Sequence, residues 1–207
     1  LTGEPVTTLH DFQLSMLNAM CTSAPAEAAA LLARVGATRE EAEIAEKRWW
    51  FANPTNSFRT IAEYADAWGA PVAERVEYPG DREIRYAAWD LPFWPCLRIE
   101  WMELEQHSVL FRKLLRQPGH QRPQVKSAAD LPAWSWTWDE FHDGSLGQTD
   151  FVDGWGAVGD LAVCRAIDPE TGRDRIYWAD FDWALLQRIE RAPDAFEWPS
   201  RCRAQHK

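Results

Sequence analysis

The chain has 207 residues, 22 Lys and Arg against 32 Asp and Glu, and a formal charge of -10, with 46% apolar residues, 13 Pro and 11 Gly. A chain of this length can bury roughly two-thirds of the surface it exposes when unfolded, so neither disulfide nor metal is needed for stability, and collagen-like or disordered readings are excluded. The acidic balance argues against a nucleic-acid or anionic-membrane partner, because those are attracted by clustered Lys and Arg.

Up to about Gly69 the pattern is helical. Thr8 is expected to cap a helix carrying Leu9, Phe12, Met16, Leu17 and Met20 at helical spacing. Pro25 opens a second, where a missing N–H costs nothing, and Gly36 ends it. Thr38-Arg-Glu-Glu41 reads as a capping box for a third helix running to about Phe51. Ser57 is expected to start a fourth, which stops at Gly69.

After Pro71 the period changes to two. Val72, Val76 and Tyr78, then Ile84, Tyr86 and Ala88, alternate with other residues around a Pro79-Gly80-Asp81 turn, which predicts a β-hairpin. Cys96 to Trp101 predicts a third strand. Leu104, Leu110, Phe111, Leu114 and Leu115 predict a helix ending at Pro118-Gly119, and residues 117–131 a surface loop. Leu161 to Ile167 and Arg175 to Trp178 flank Asp168-Pro-Glu-Thr-Gly172, a hairpin signature. A last short helix is expected with Asp182 as cap and Leu185, Leu186 and Ile189 buried. The fold class is therefore α+β: a single domain over 1–207, with a helical block (1–70) packed on a mostly antiparallel sheet (71–207) with two further helices.

Three chemical signals stand out. Thirteen Trp all lie after residue 48, and Trp134, Trp136 and Trp138 alternate, so an extended chain would present three rings on one face as an apolar platform. Beside them, Asp139, Glu140, His142, Asp143, Asp150, Asp153 and Asp160 concentrate one imidazole and six acids. Such ligands suit a divalent cation, with His142, Asp143 and Asp153 as candidates. Gly154-Trp-Gly156-Ala-Val-Gly159 satisfies GxGxxG, but the residues after it read as a strand, where a nucleotide loop needs a helix. Ile61 to Val72 has the outline of a helix-turn-helix, yet its second half alternates like a strand and offers only Arg75 to a base.

Short family likenesses appear in two places. Tyr86 to Glu100 resembles a late strand pair of the CYTH triphosphate tunnel enzymes, although the ExExK strand and the inward Arg and Lys of such a tunnel are missing. Gly159 to Asp182 is similar to the Gly-Asp strand and hairpin of SUKH-type immunity proteins, and Gly154 to Ile176 resembles the Gly-rich hairpin of a protein kinase. In the latter, Trp178 stands where a phosphate-pairing Lys is required, and no HRD or DFG segment follows.

Residues 132–207 carry 14 acidic and 8 basic side chains, the strongest negative field in the chain. Together with the Trp surplus, this predicts a non-enzymatic protein-binding module of bacterial immunity or antitoxin type, whose acidic, Trp-rich surface occludes a basic toxin. The contact residues expected are Trp134, Trp136, Trp138, Asp139, Glu140, Asp143 and Trp155. The alternative is a small metal-dependent hydrolase built on Asp139, His142, Asp143 and Asp153. No cofactor is expected. Cys21, Cys96, Cys164 and Cys202 show no CxxC spacing, and the first residues lack a basic and an apolar signal region, so reduced thiols and a cytoplasmic location are expected.

Overall fold

A computed structural model of the chain describes residues 8–52, 58–104, 108–154 and 159–199. The fold is α+β, as the periodicity predicts. It forms two compact units, Leu1–Arg122 and Pro123–Lys207, with the boundary inside the 117–131 segment. Among the described residues no helix is long and apolar enough to cross a membrane.

The first unit begins with α1 (Leu9–Ser23), α2 (Pro25–Val35), α3 (Arg39–Ala52) and α4 (Ile61–Trp68). Their ends follow local chemistry. The Thr8 hydroxyl accepts from the Asp11 amide, Gly36 closes α2 in the left-handed region, and Thr38 and Glu41 exchange hydrogen bonds at the start of α3. Helix α4 differs from expectation at its start. Ser57 lies outside the described residues, and the cap is Thr60, which pairs with Glu63 in a capping box.

The sheet that follows is an antiparallel meander of β1 (Ala73–Glu77), β2 (Ile84–Asp90), β3 (Leu97–Leu104) and β4 (Ser108–Arg116). The helix expected over 104–115 is therefore a strand, and a bulge explains the misreading. Trp101 pairs with Phe111 and Glu100 with Lys113, so Arg112 is an extra residue. That insertion places Phe111 and Leu114, three apart, opposite Trp101 and Ile99 on one face, imitating a helical interval. The strand β1 after Gly69 likewise replaces the second helix a helix-turn-helix would need.

The core of this unit is aromatic. The Tyr64 ring stacks on Trp101 at 4.9 Å, Phe12 meets Trp49 at 4.9 Å and Trp101 at 5.8 Å, and Trp68 meets Trp89 edge-on at 5.6 Å. Buried Gln13 ties α1 to the β2–β3 connection by accepting from the Phe93 amide at 2.8 Å.

The second unit is also a four-stranded antiparallel meander: β5 (Gln148–Gly154), β6 (Asp160–Ile167), β7 (Asp174–Asp182) and β8 (Leu185–Arg191). A 3₁₀ turn at Ala128–Asp130 and a one-turn α5 (Trp138–Phe141) pack against it. The Asp168–Gly172 hairpin forms as read, with Asp168 Oδ1 accepting from the Glu170 and Thr171 amides. The final helix expected after Asp182 is instead β8. Trp183 and Ala184 turn the chain with φ of 52° and 58°, a tight reversal normally signalled by Asn or Gly. Leu185 and Leu186 are buried as expected, but in a strand.

Candidate functional site

The acidic segment is organised around α5. Its first turn is fixed by a second capping box: the Glu140 carboxylate accepts from the Thr137 amide at 2.9 Å, and the Thr137 hydroxyl from the Glu140 amide at 3.4 Å. The Trp138 amide donates to the Ala184 carbonyl at 2.8 Å, which anchors the turn on the β7–β8 hairpin. One turn on, His142 Nδ1 lies 3.0 Å from the Trp138 carbonyl, so that nitrogen carries the proton and donates it. The same spacing lays the imidazole over the indole, with centroids 4.2 Å apart. Trp138 also meets Phe181 edge-on at 5.0 Å and Phe151 of β5 at 6.0 Å.

Around this aromatic group, Asp139, Asp143 and Asp153 are exposed, and Glu140 and Asp150 are half-buried. The structure thus brings Phe151 and His142 to Trp138, on elements that also carry the acids of α5, the following loop and β5. Phe151 was not singled out in the sequence. It is 37% exposed, one of the few large apolar side chains at the surface, and its place beside Trp138 follows only from the pairing of β5 with β6.

The expected row of three indoles does not form. Trp134 has a φ of 59°, so the chain is not extended there, and its indole N–H donates to Gln187 Oε1 at 2.8 Å. Trp136 is 2% exposed, belongs to the core of the second unit and donates to the Pro123 carbonyl. It cannot touch a partner, and Trp155 lies outside the described residues.

The metal alternative is also corrected. Among the described residues no three His, Cys, Asp or Glu side chains gather closely enough to hold an ion. Each candidate also makes a local bond: Asp143 Oδ1 accepts from the Ser145 amide, Asp153 Oδ1 from the Gly154 amide, and His142 Nδ1 donates to the Trp138 carbonyl. These are turn and cap bonds. Asp160 sits against Gly154, where a Cβ would collide with its carboxylate, and burial pushes its pKa up from the usual value. Of the GxGxxG glycines, Gly156 lies outside the described residues, Gly154 ends β5 and Gly159 precedes β6, so a strand and not a helix follows the last of them and no helix N-terminus is there to hold a pyrophosphate.

No family model matches the chain, and no curated protein matches it. Among solved structures it is similar to a "putative beta-lactamase inhibitor protein" from Streptococcus mutans, at 10% identity and a TM-score of 0.25, over 64% of this chain and 82% of that one. A likeness at that score assigns no function.

Proposed function

We propose that the chain is a non-enzymatic protein-binding module whose partner is basic. The observation that carries this reading is the contact of half-buried Trp138 with exposed Phe151, on elements whose chain neighbours include the exposed Asp139, Asp143 and Asp153. It belongs to a unit with 15 acidic and 9 basic side chains. The acids speed encounter with a cationic surface, and the aromatic side chains supply short-range affinity once water is expelled. In its most specific form the proposal is a bacterial immunity or antitoxin-type protein, acting in the cytoplasm, that occludes a basic toxin.

The test is capture of the partner from the source cells with tagged chain, followed by titration of the purified pair at about 50 and about 300 mM salt, between which the Debye length falls from roughly 14 Å to roughly 6 Å. Support would be a basic protein whose affinity falls at least about tenfold with salt and again in the Asp139→Asn, Asp143→Asn double variant. Salt-independent binding, or full affinity in a Phe151→Ser, Asp153→Asn variant, would remove the patch from the interface.

A further inference from the structure

Strand β1 is an open edge of the first unit's sheet. Among the described residues it pairs with β2 alone, and all five of its residues are exposed. Alternate amides and carbonyls of such a strand point away from the sheet, where another extended chain can bond to them. Val76 is 47% exposed. Val72, whose amide donates to the Ala88 carbonyl at 2.8 Å and so carries the pairing one residue beyond β1, is 52% exposed. An edge protected against pairing carries charge in place of such apolar groups.

The register fixes which side of the sheet the β1 side chains occupy. Glu74 stands opposite Ala87 and Ala87 opposite Trp101, while Val76 stands opposite Arg85 and Arg85 opposite Glu103. Directly opposed residues share a face, so Glu74 and Val76 lie on the face where Trp101 stacks on Tyr64 of α4. Between them and α4 is a crevice of about 380 Å³, walled on the helix side by Ile61, Ala62 and Ala65. The cations at its wall are engaged: Arg75 donates to Glu77 and Glu100, and Arg85 to Glu83. Glu103 accepts from the Ile61 amide. The Glu74 carboxylate has no partner among the described residues, so the crevice presents a negative charge beside an aliphatic side chain on a strand whose edge is open.

We infer that β1 accepts an extended peptide as a fifth strand, with a Lys or Arg opposite Glu74 and an aliphatic residue two positions away opposite Val76. The spacing follows from strand geometry, because every second side chain of the added strand falls on the crevice side. Backbone hydrogen bonds to the edge supply affinity, and the two crevice-side residues supply selectivity. The surface lies in the first unit and does not depend on the contact of Trp138 with Phe151 or on the partner proposed for it.

The probe is the acetylated and amidated peptide Thr-Val-Thr-Lys-Thr-Val-Thr, whose side chains read the same in both directions and so suit parallel or antiparallel pairing. It is titrated into the isotope-labelled full chain and followed by amide resonances and hydrogen exchange. The expected result is saturable binding that slows exchange of β1 amides, is weakened at least about tenfold in Glu74→Lys and in Val76→Asp, and is lost when Glu replaces the peptide's Lys. Both positions are exposed, so these variants keep the fold. No saturation, saturation that leaves β1 amides unmoved, or unchanged affinity in a folded Glu74→Lys variant overturns the inference. So does a concentration-dependent dimer that protects β1 without peptide, which would give the edge to a second copy of the chain.

Discussion

Trp136 and Trp138 are two residues apart, yet the structure gives them different work, and truncating each separates packing from surface. Trp136 is 2% exposed, and its ring buries on the order of 200 Å². At about 25 cal/mol per Å² that is at most about 5 kcal/mol of transfer free energy. The indole N–H also donates to the Pro123 carbonyl at 3.3 Å, which adds roughly 1 kcal/mol. Partial collapse of the cavity offsets some of this, so Trp136→Ala should cost about 3–5 kcal/mol. Trp138 is half-buried and rests on His142 and Phe181, so Trp138→Ala should cost about 1–2 kcal/mol. Urea titration followed by far-ultraviolet circular dichroism measures both, as a shift in midpoint at unchanged slope. A Trp136→Ala cost below about 1 kcal/mol, or a larger cost for Trp138→Ala, would refute the assignment of these rings to core and rim.

Five further outcomes follow. Gly147 has a φ of 118° and a Cβ there would stand 2.5 Å from the Arg165 carbonyl oxygen, so Gly147→Ala should lose about 3 kcal/mol in the same titration. Gly119→Ala, left-handed but in open space, should lose only about 1 kcal/mol. Cys164 is fully buried, and burial pushes its thiol up to about 12, so iodoacetamide with mass mapping should label half-exposed Cys96 before Cys164, which should react only on unfolding. The amides of Glu170 and Thr171, with Arg175 nearby, hold the Asp168 carboxyl below the ordinary carboxylate range. Its stabilisation is complete above the unfolded value and fades as pH falls through the lower folded value, so Asp168→Asn should flatten the acid limb of a pH-stability curve. A single domain should melt in one calorimetric transition with equal calorimetric and van't Hoff enthalpies; two peaks, or stable fragments after cleavage within 117–131, would indicate two folding units.

What could be read from the sequence was chemistry that completes itself within a few residues. The Thr8, Thr38 and Gly36 helix ends and the Asp168–Gly172 turn each satisfy their own backbone groups, so the residue types alone announce them. What could not be read was decided by a partner far along the chain. The β4 residues carry a helical interval that becomes one sheet face only because β3 pairs with them around Arg112. The β7–β8 turn uses Trp183 and Ala184 in the left-handed region, and its support comes from the 134–138 segment: Leu186 donates to the Trp136 carbonyl and accepts from the Trp134 amide. Phe151 joined Trp138 for the same reason, through strand pairing that no local pattern records. The acids around His142 were legible as a cluster in the chain, but not that no three of the described His, Cys, Asp or Glu side chains would converge in space.

The Trp surplus has a different meaning in the folded chain from the one its composition suggests. Of the eleven Trp whose surroundings are described, Trp49, Trp89, Trp94, Trp101, Trp136 and Trp183 are buried, Trp68, Trp134, Trp138, Trp178 and Trp198 are half-buried, and none is exposed. A small unit buries a smaller share of its surface than a large one and so needs more apolar area from each core position. Indole supplies that area in the fewest residues, and in the first unit the rings pack mostly tilted or edge-on, which adds to the burial itself. With the rings spent in two compact cores, the surface that remains for a partner is largely charge with a few apolar points such as Phe151. An interface of that kind draws its rate and selectivity from electrostatics and its lifetime from a small number of anchors, so added salt should slow association more than it speeds dissociation.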